Sequence, residues 1–277
     1  MIQEAVNLAC QTWFGLCLTV GLILDWAGCM AFTMLLPASE AQSMCCKWCH
    51  YMFLWFLIKA SPWIRVSPPS PEDFDRLMDR KGVCMLMNHT SFYDSVLFVG
   101  ITPPHIIWRY RTLMANKLFN TPFLGGVSRM VGHFPVFFKT NDEHSFGVDK
   151  TKQAEAMLKV KAHVKSGGCL SLFPEGKINR NPETICPFRR GTFSLIEEMD
   201  MDVVILSTVG CNDAWPRDSA VGGLPTRIMM NLTEVSKAGE GLSAAAIQEK
   251  AEAIMQANVA SLREQRNGSK TSKPKES

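Results

Sequence analysis

Apolar positions along the chain fall into two textures. From Trp13 to Leu36 they run almost unbroken, "WFGLCLTVGLILDWAGCMAFTMLL", 24 residues with one charge, Asp25. A helix needs about 20 such residues to cross a bilayer. A central carboxylate costs about 2.5–3.5 kcal/mol on insertion scales, which the surrounding Leu, Phe, Met and Trp offset. With no Lys or Arg in residues 1–12 and an apolar part this long, the stretch lacks the form of a signal peptide. A second run, "YMFLWFLIKASPWIRV", spans Tyr51 to Val66. Its apolar core, Tyr51–Ile58, is too short to span, and Lys47, Lys59, Arg65, Trp48, Trp55 and Trp63 around it suit an interface. It predicts a re-entrant or interfacial helix paired with the first; the alternative is a monotopic anchor with both helices in one leaflet. The basic residues after the first helix place that side in the cytoplasm.

After "SPPSPEDF", residues 67–74, short apolar runs alternate with helical patterns. "VCMLM" (83–87), "HIIWRY" (105–110), "HFPVFF" (133–138), "CLSLF" (169–173) and "DVVILSTV" (202–209) read as strands. "SVLFVG" (95–100), 149–166 and "GTFSLIEEM" (191–199) read as helices, the first capped at Ser91 and the second stopped by Gly167-Gly168. This alternation predicts an α/β fold with a largely parallel sheet flanked by helices, preceded by an N-terminal hydrophobic helical membrane anchor. The expected division is anchoring helices over 1–66, a catalytic domain over 67–240, and a C-terminal amphipathic helix and basic tail over 241–277. The polar residues from Arg263 onward read as unstructured.

Composition narrows the class. Of 277 residues, 47% are hydrophobic and 20% charged, too polar for a multi-span transporter, and the chain is long enough to bury a core without disulfides. A net charge of +3 suits an anionic substrate or a membrane surface and gives no sign of nucleic-acid binding. Six of the ten cysteines precede residue 50, and buried free thiols are the reading favoured for the set. "CCKWCH" (45–50) contains Cys46-x-x-Cys49-His50, a c-type haem attachment pattern, here in a Cys-rich segment without further haem signals. A zinc site there would need a second ligand pair, and none is evident, so no metal is expected. Thiols carrying acyl chains, or nothing, are the remaining readings.

The chemistry centres on "MNHTSFYDS", 87–95. Asn88-His89-Thr90 is a glycosylation sequon, Ser91-x-x-Asp94 a capping box, and His89 with Asp94 a base and its orienting carboxylate at the end of a strand, where α/β sheets gather their sites. "NHTSFYD" resembles the N-H-x-S-x-x-D block of the glycerolipid acyltransferases, a family that includes 1-acyl-glycerol-3-phosphate acyltransferases. Three further stretches resemble that family's later blocks in order: "PFLGGVSRMVGHFPVFFK" (122–139), "LFPEGKINR" (172–180), and "FRRGTF" (188–193) with "VVILSTV" (203–209). Two positions depart from it. Lys177-Ile178 stands where Thr-Arg is usual, with Arg180 a stand-in for the missing Arg, and Lys139 stands where Arg is common, a point charge in place of a bidentate fork.

The resemblance implies acyl transfer from acyl-CoA, a co-substrate with no other cofactor, to the hydroxyl of lysophosphatidic acid at a membrane. Glycerol 3-phosphate or another lysophospholipid is the alternative acceptor, and a non-enzymatic haem or lipid-binding protein the rival class. His89 and Asp94 form the catalytic pair. Glu175, Gly176, Lys177 and Arg180, with Arg189, Arg190, Arg129 and Lys139, are the expected substrate-binding residues. Glu175 is expected to bond a glycerol hydroxyl or hold a neighbouring cation. A glycan at Asn88 would occupy the site, so the sequon reading falls away. Phe134, Val136, Phe137 and Phe138 are candidates for an acyl groove or for core, and His105, His133, His144 and His163 have no partner pattern. Lys273 and Lys275 resemble a dilysine retrieval signal, implying the endoplasmic reticulum with the catalytic domain facing the cytoplasm.

Overall fold

A computed structural model describes residues 1–138 and 147–271. Lys139, His144 and the tail lysines Lys273 and Lys275 lie outside the described residues. The chain opens with helix α1 (Ile2–Leu35). Pro37 ends it by forcing Leu36 out of the helical region, to φ −121°, ψ 155°. Helix α2 (Ala38–Met52) folds back alongside and passes into a π-helix at Phe53–Lys59. The second apolar run is therefore not one interfacial helix. It leaves the helix at Ala60, turns, and becomes strand β1 (Ile64–Ser67). The expected domain division at residue 66 falls inside that strand.

Strands β2 (Val83–Met87), β3 (Tyr110–Ala115), β4 (Phe134–Val136), β5 (Cys169–Leu172), β6 (Asp202–Val209) and β7 (Thr226–Ser236) complete a seven-stranded sheet ordered β1-β7-β6-β2-β5-β3-β4. The β6–β7 pair is antiparallel, and the other neighbouring strands run parallel. Helices α3 (Pro71–Met78), α4 (Tyr93–Ile101), α5 (Pro104–Ile107), α6 (Leu124–Met130), α7 (Lys150–Lys165), α8 (Arg190–Met199), α9 (Cys211–Ala214) and α10 (Ala244–Thr271) surround it.

The central strand β2 explains the layering. Successive side chains point to opposite faces. Val83, Met85 and Met87 join a core with Phe74, Leu97, Ile106 and the N-terminal Phe14 and Leu57. Cys84 and Leu86 join a second core with Val160, Phe193, Met255 and Val259. A strand covered on both faces needs an unbroken apolar run, which "VCMLM" supplies.

Two local expectations fail. "HIIWRY" does not form a strand: Pro103-Pro104 presets a helix start, α5 carries Ile106 and Ile107 into the core, and strand geometry begins at Tyr110. The tail is not unstructured from Arg263, because α10 continues to Thr271, with Arg263 paired to Glu183 at 2.5 Å and Arg266 paired to Asp213.

Candidate active site

The site forms where β2 ends and α4 begins. The β2 end is fixed first. Asn88 Nδ2 donates to the Thr208 carbonyl (3.0 Å), and Asn88 Oδ1 accepts the Thr208 N–H (2.8 Å), locking the ends of β2 and β6 together. Asp94 then closes the turn. Fully buried, its Oδ2 accepts the backbone N–H of Thr90 (2.7 Å) and Ser91 (2.8 Å) and lies 3.2 Å from His89 Nδ1. Ser91 Oγ accepts the Tyr93 N–H at 3.1 Å. Asp94 thus closes the turn and orients the base, but the expected Ser91 cap is not formed: α4 starts from Phe92 with no side-chain cap bond.

A carboxylate can only accept, so His89 carries its proton on Nδ1 and presents an Nε2 lone pair. The imidazole stacks on Phe173, ring centroids 3.9 Å apart at 20°. It is 15% exposed, enough to meet a substrate while staying held. Beyond Asp94, the buried Cys211 thiol is held neutral, its pKa pushed well above normal by burial and then by the adjacent Asp94 charge.

The "FPEGKINR" loop after β5 wraps this turn. Glu175 is not where substrate recognition would put it. It is fully buried; Oε1 accepts the His89 backbone N–H (2.8 Å), and Oε2 accepts the Cys186 N–H (2.8 Å). Burial raises its pKa, and the hydrogen bonds from His89 and Cys186 work against that rise. It clasps the loop to the His89 backbone, and it is absent from the cavity lining described below. The Asn179 N–H adds a second clasp onto the His89 carbonyl at 2.6 Å. Gly176 adopts φ +69°, and a Cβ there would meet Arg189 Cγ at 3.1 Å, so glycine allows both the turn and the overlying arginine.

Glu175→Gln replaces one acceptor with a donor and sets it against a backbone amide. The expected result is a loss of about 1–3 kcal/mol of stability. A fall in kcat of up to about 10²-fold should accompany it as the imidazole drifts. Thermal melts with steady-state kinetics check this, and a raised acceptor KM at unchanged kcat would instead put Glu175 on the substrate.

His89 opens into a cavity of about 2070 Å³. Typical small-molecule sites hold about 300–1,000 Å³, so this one has room for a lipid together with a second substrate. Lys177, Arg180, Arg189 and Gly176 line it with His89, and so do Val136, Phe137 and Phe138. Phe134 instead packs into the core under α7. The N-terminal helices contribute Cys46, Cys49 and Phe53 to the wall, so anchor and catalytic domain share one cavity.

Two expected phosphate contacts are not brought here. Arg129 lies over the Phe119 ring (5.8 Å) in a separate shallow recess, because α6 turns that face away from the strand ends. Arg190, the exposed first residue of α8, lies outside the lining while its neighbour Arg189 is inside. Sequence reasoning missed Phe173, Thr208 and Arg217. Phe173, directly before Pro174-Glu175, was expected as the last residue of the strand and lies one residue beyond it, and nothing in the sequence marked it as the surface the imidazole stacks on.

The family model described as Acyltransferase matches residues 70–209, half of the chain. The chain therefore belongs to the acyltransferase family. Its fold is similar to the crystal structure of the 1-acyl-sn-glycerophosphate (LPA) acyltransferase PlsC from Thermotoga maritima, with a TM-score of 0.73 at 16% identity, over 94% of this chain and 98% of that one. No curated protein sequence matches it. Membership sets aside the non-enzymatic haem reading.

Proposed function

We propose that the protein transfers a fatty acyl group from acyl-CoA to the free hydroxyl of lysophosphatidic acid, giving phosphatidic acid, with His89 as general base and Asp94 as its orienter. The observation that carries this reading is the Nδ1–Oδ2 contact of 3.2 Å at the mouth of a large, mainly apolar cavity with cations beside it. Nε2 takes the hydroxyl proton as the oxygen attacks the thioester carbonyl. The C–O bond forms, the C–S bond breaks, and the imidazolium returns the proton to the departing thiolate. Asp94 stabilises the imidazolium between these events. The acceptor supplies its own nucleophile, so no acyl-enzyme is needed. Lys177, Arg180 and Arg189 grip the phosphate on a loop fastened to the His89 backbone.

Helix α1 is the one described helix long and apolar enough to cross a membrane. Its contacts favour a position along the surface of one leaflet. Gln11 bonds the Val221 carbonyl, Phe14 packs on Trp215, Trp26 on Phe123, and Thr33 meets Met130. Those residues span about 33 Å of helix, and the catalytic domain follows it throughout. Trp13, Leu16, Val20, Ile23 and Leu24 form the outward stripe at helical spacing, and Trp55 adds to the exposed apolar surface. The stripe enters the bilayer as a monotopic anchor, with the cavity opening beside the lipid and the catalytic domain on the cytoplasmic face of the endoplasmic reticulum.

The test is thiol release from acyl-CoA, and from acyl-(acyl carrier protein) in parallel, against lysophosphatidic acid, glycerol 3-phosphate and lysophospholipids with larger headgroups. Release that depends on lysophosphatidic acid is expected. Preference for another acceptor or donor reassigns that substrate, and release without any acceptor would mean a thioesterase. Lys177→Ala should raise the KM for lysophosphatidic acid more than that for acyl-CoA; the reverse would move Lys177 to the donor end.

A further inference from the structure

The cysteines between α1 and α2 are not scattered. Asp25 and Cys29 stand one turn apart on α1, and Cys45 and Cys49 one turn apart on α2, so each pair shares a helix face. The hairpin turns those faces toward each other. The carboxylate of Asp25 and the Sγ atoms of Cys29 and Cys49 all lie within 4.8 Å of one another, and all three residues are buried. Cys29 Sγ is 3.8 Å from Asp25 Oδ1 and 4.0 Å from the Cys45 carbonyl, and Cys45 Sγ is 3.6 Å from the Cys29 carbonyl. The other oxygen, Asp25 Oδ2, is buried with no hydrogen-bond partner. The remaining side chains of the segment point elsewhere: Cys46 Sγ to the Val131 carbonyl (3.8 Å), His50 Nδ1 to Val99.

A fully buried carboxylate with an unsatisfied oxygen is costly to keep. Thiols alone do not relieve it, since each offers one weak donor. One cation would engage the orphan oxygen and the sulfurs together. We infer that Asp25, Cys29 and Cys49, with Cys45 as the fourth donor, form a structural zinc site that staples α1 to α2.

The donor set suits Zn²⁺, which takes thiolates at about 2.3 Å and carboxylate oxygens at about 2.0–2.2 Å in tetrahedral geometry. Donor atoms then stand about 3.4–3.8 Å apart, a short inward step from the arrangement seen. Magnesium and calcium select all-oxygen shells and are disfavoured by the sulfurs. On binding, Cys29, Cys49 and Cys45 each release a proton to solvent, and the metal exchanges water for three thiolates and a carboxylate. Cys45, one turn before Cys49, stands outside the 4.8 Å group, and its Sγ turns from the Cys29 carbonyl to reach the ion. The second ligand pair that "CCKWCH" lacks in sequence is supplied by the antiparallel helix. Cys49 also lines the main cavity, so the staple braces a wall of the substrate site.

The test is metal content of the full chain, purified in detergent without chelators and measured by plasma mass spectrometry. About one zinc per chain is expected. The double variant C29S/C49S should lose it, and C10S, outside the cluster, should keep it. Because the double variant can fail to fold, two measurements use the unaltered chain. After chelation, added Co²⁺ should give thiolate-to-cobalt charge-transfer absorption, and iodoacetamide should modify Cys29 and Cys49 only once the metal is removed. A chain that purifies without zinc and gives no cobalt spectrum overturns the site, as does zinc retained in full by the double variant.

Discussion

His89→Ala should reduce acyl transfer by about 10²–10⁴-fold, the share that a positioned general base contributes. The loss should fall on kcat, with the KM of both substrates little changed, because the imidazole is engaged with the moving proton and the gripping cations are on another loop. The fold should survive. The backbone bonds that fix this position, from the His89 N–H to Glu175 and from the Asn179 N–H to the His89 carbonyl, do not involve the side chain. What is lost is a partly exposed ring and its stacking on Phe173. Thiol release measured beside a thermal melt separates the two effects. Near-normal turnover in a folded variant would refute the assigned base.

Asp94→Asn should be nearly as severe for a different reason. The amide oxygen takes the Oδ2 position, which the N–H groups of Thr90 and Ser91 require, so the turn and helix start persist and His89 Nδ1 still donates to it. The NH₂ takes the Oδ1 position beside Thr208 Oγ1. What is lost is the negative charge that stabilises the imidazolium as it forms. The same exchange in Ser-His-Asp hydrolases, where it also inverts the tautomer, lowers kcat about 10⁴-fold, so a smaller loss, about 10²–10³-fold, is expected here. Asp94→Ala should add a stability loss of about 1 kcal/mol by removing the cap as well. If Asp94→Asn destabilises the chain as much as Asp94→Ala while leaving kcat intact, the carboxylate only caps.

The parts of this site written in the sequence are those where one residue type at one spacing has one physical meaning. "VCMLM" and "DVVILSTV" are unbroken apolar runs because their strands are covered on both faces, and the structure places them side by side at the centre of the sheet. His89 and Asp94 are five residues apart across a strand-to-helix turn, so local geometry alone joins them.

What stayed hidden depends on contacts between distant segments. β7 holds neither a long apolar run nor a strict alternation, and its Asn231 and Thr233 belong to a sequon, so its eleven residues did not stand out as a strand. Glu175 was read as an acceptor-site residue because the family resemblance implies it. Its role depends on which backbone amides lack partners nearby, and that is visible only once the loop is folded. Arg129 and Arg190 were counted as cations near the right motifs, but a helix carries each side chain to one side only. Asp25 looked like an isolated charge in an apolar helix, since of the thiols around it only Cys29 is near in sequence, and Cys49 comes from the next helix.

Phe14 is fully buried among Tyr93, Trp215 and the residues of β2's inner face. The N-terminal apolar helix is therefore also a cornerstone of the enzyme's interior. A chain relieved of that helix would not be the same enzyme with its first segment trimmed. It would be an enzyme with a missing wall, the face of β2 that Phe14 covers laid open.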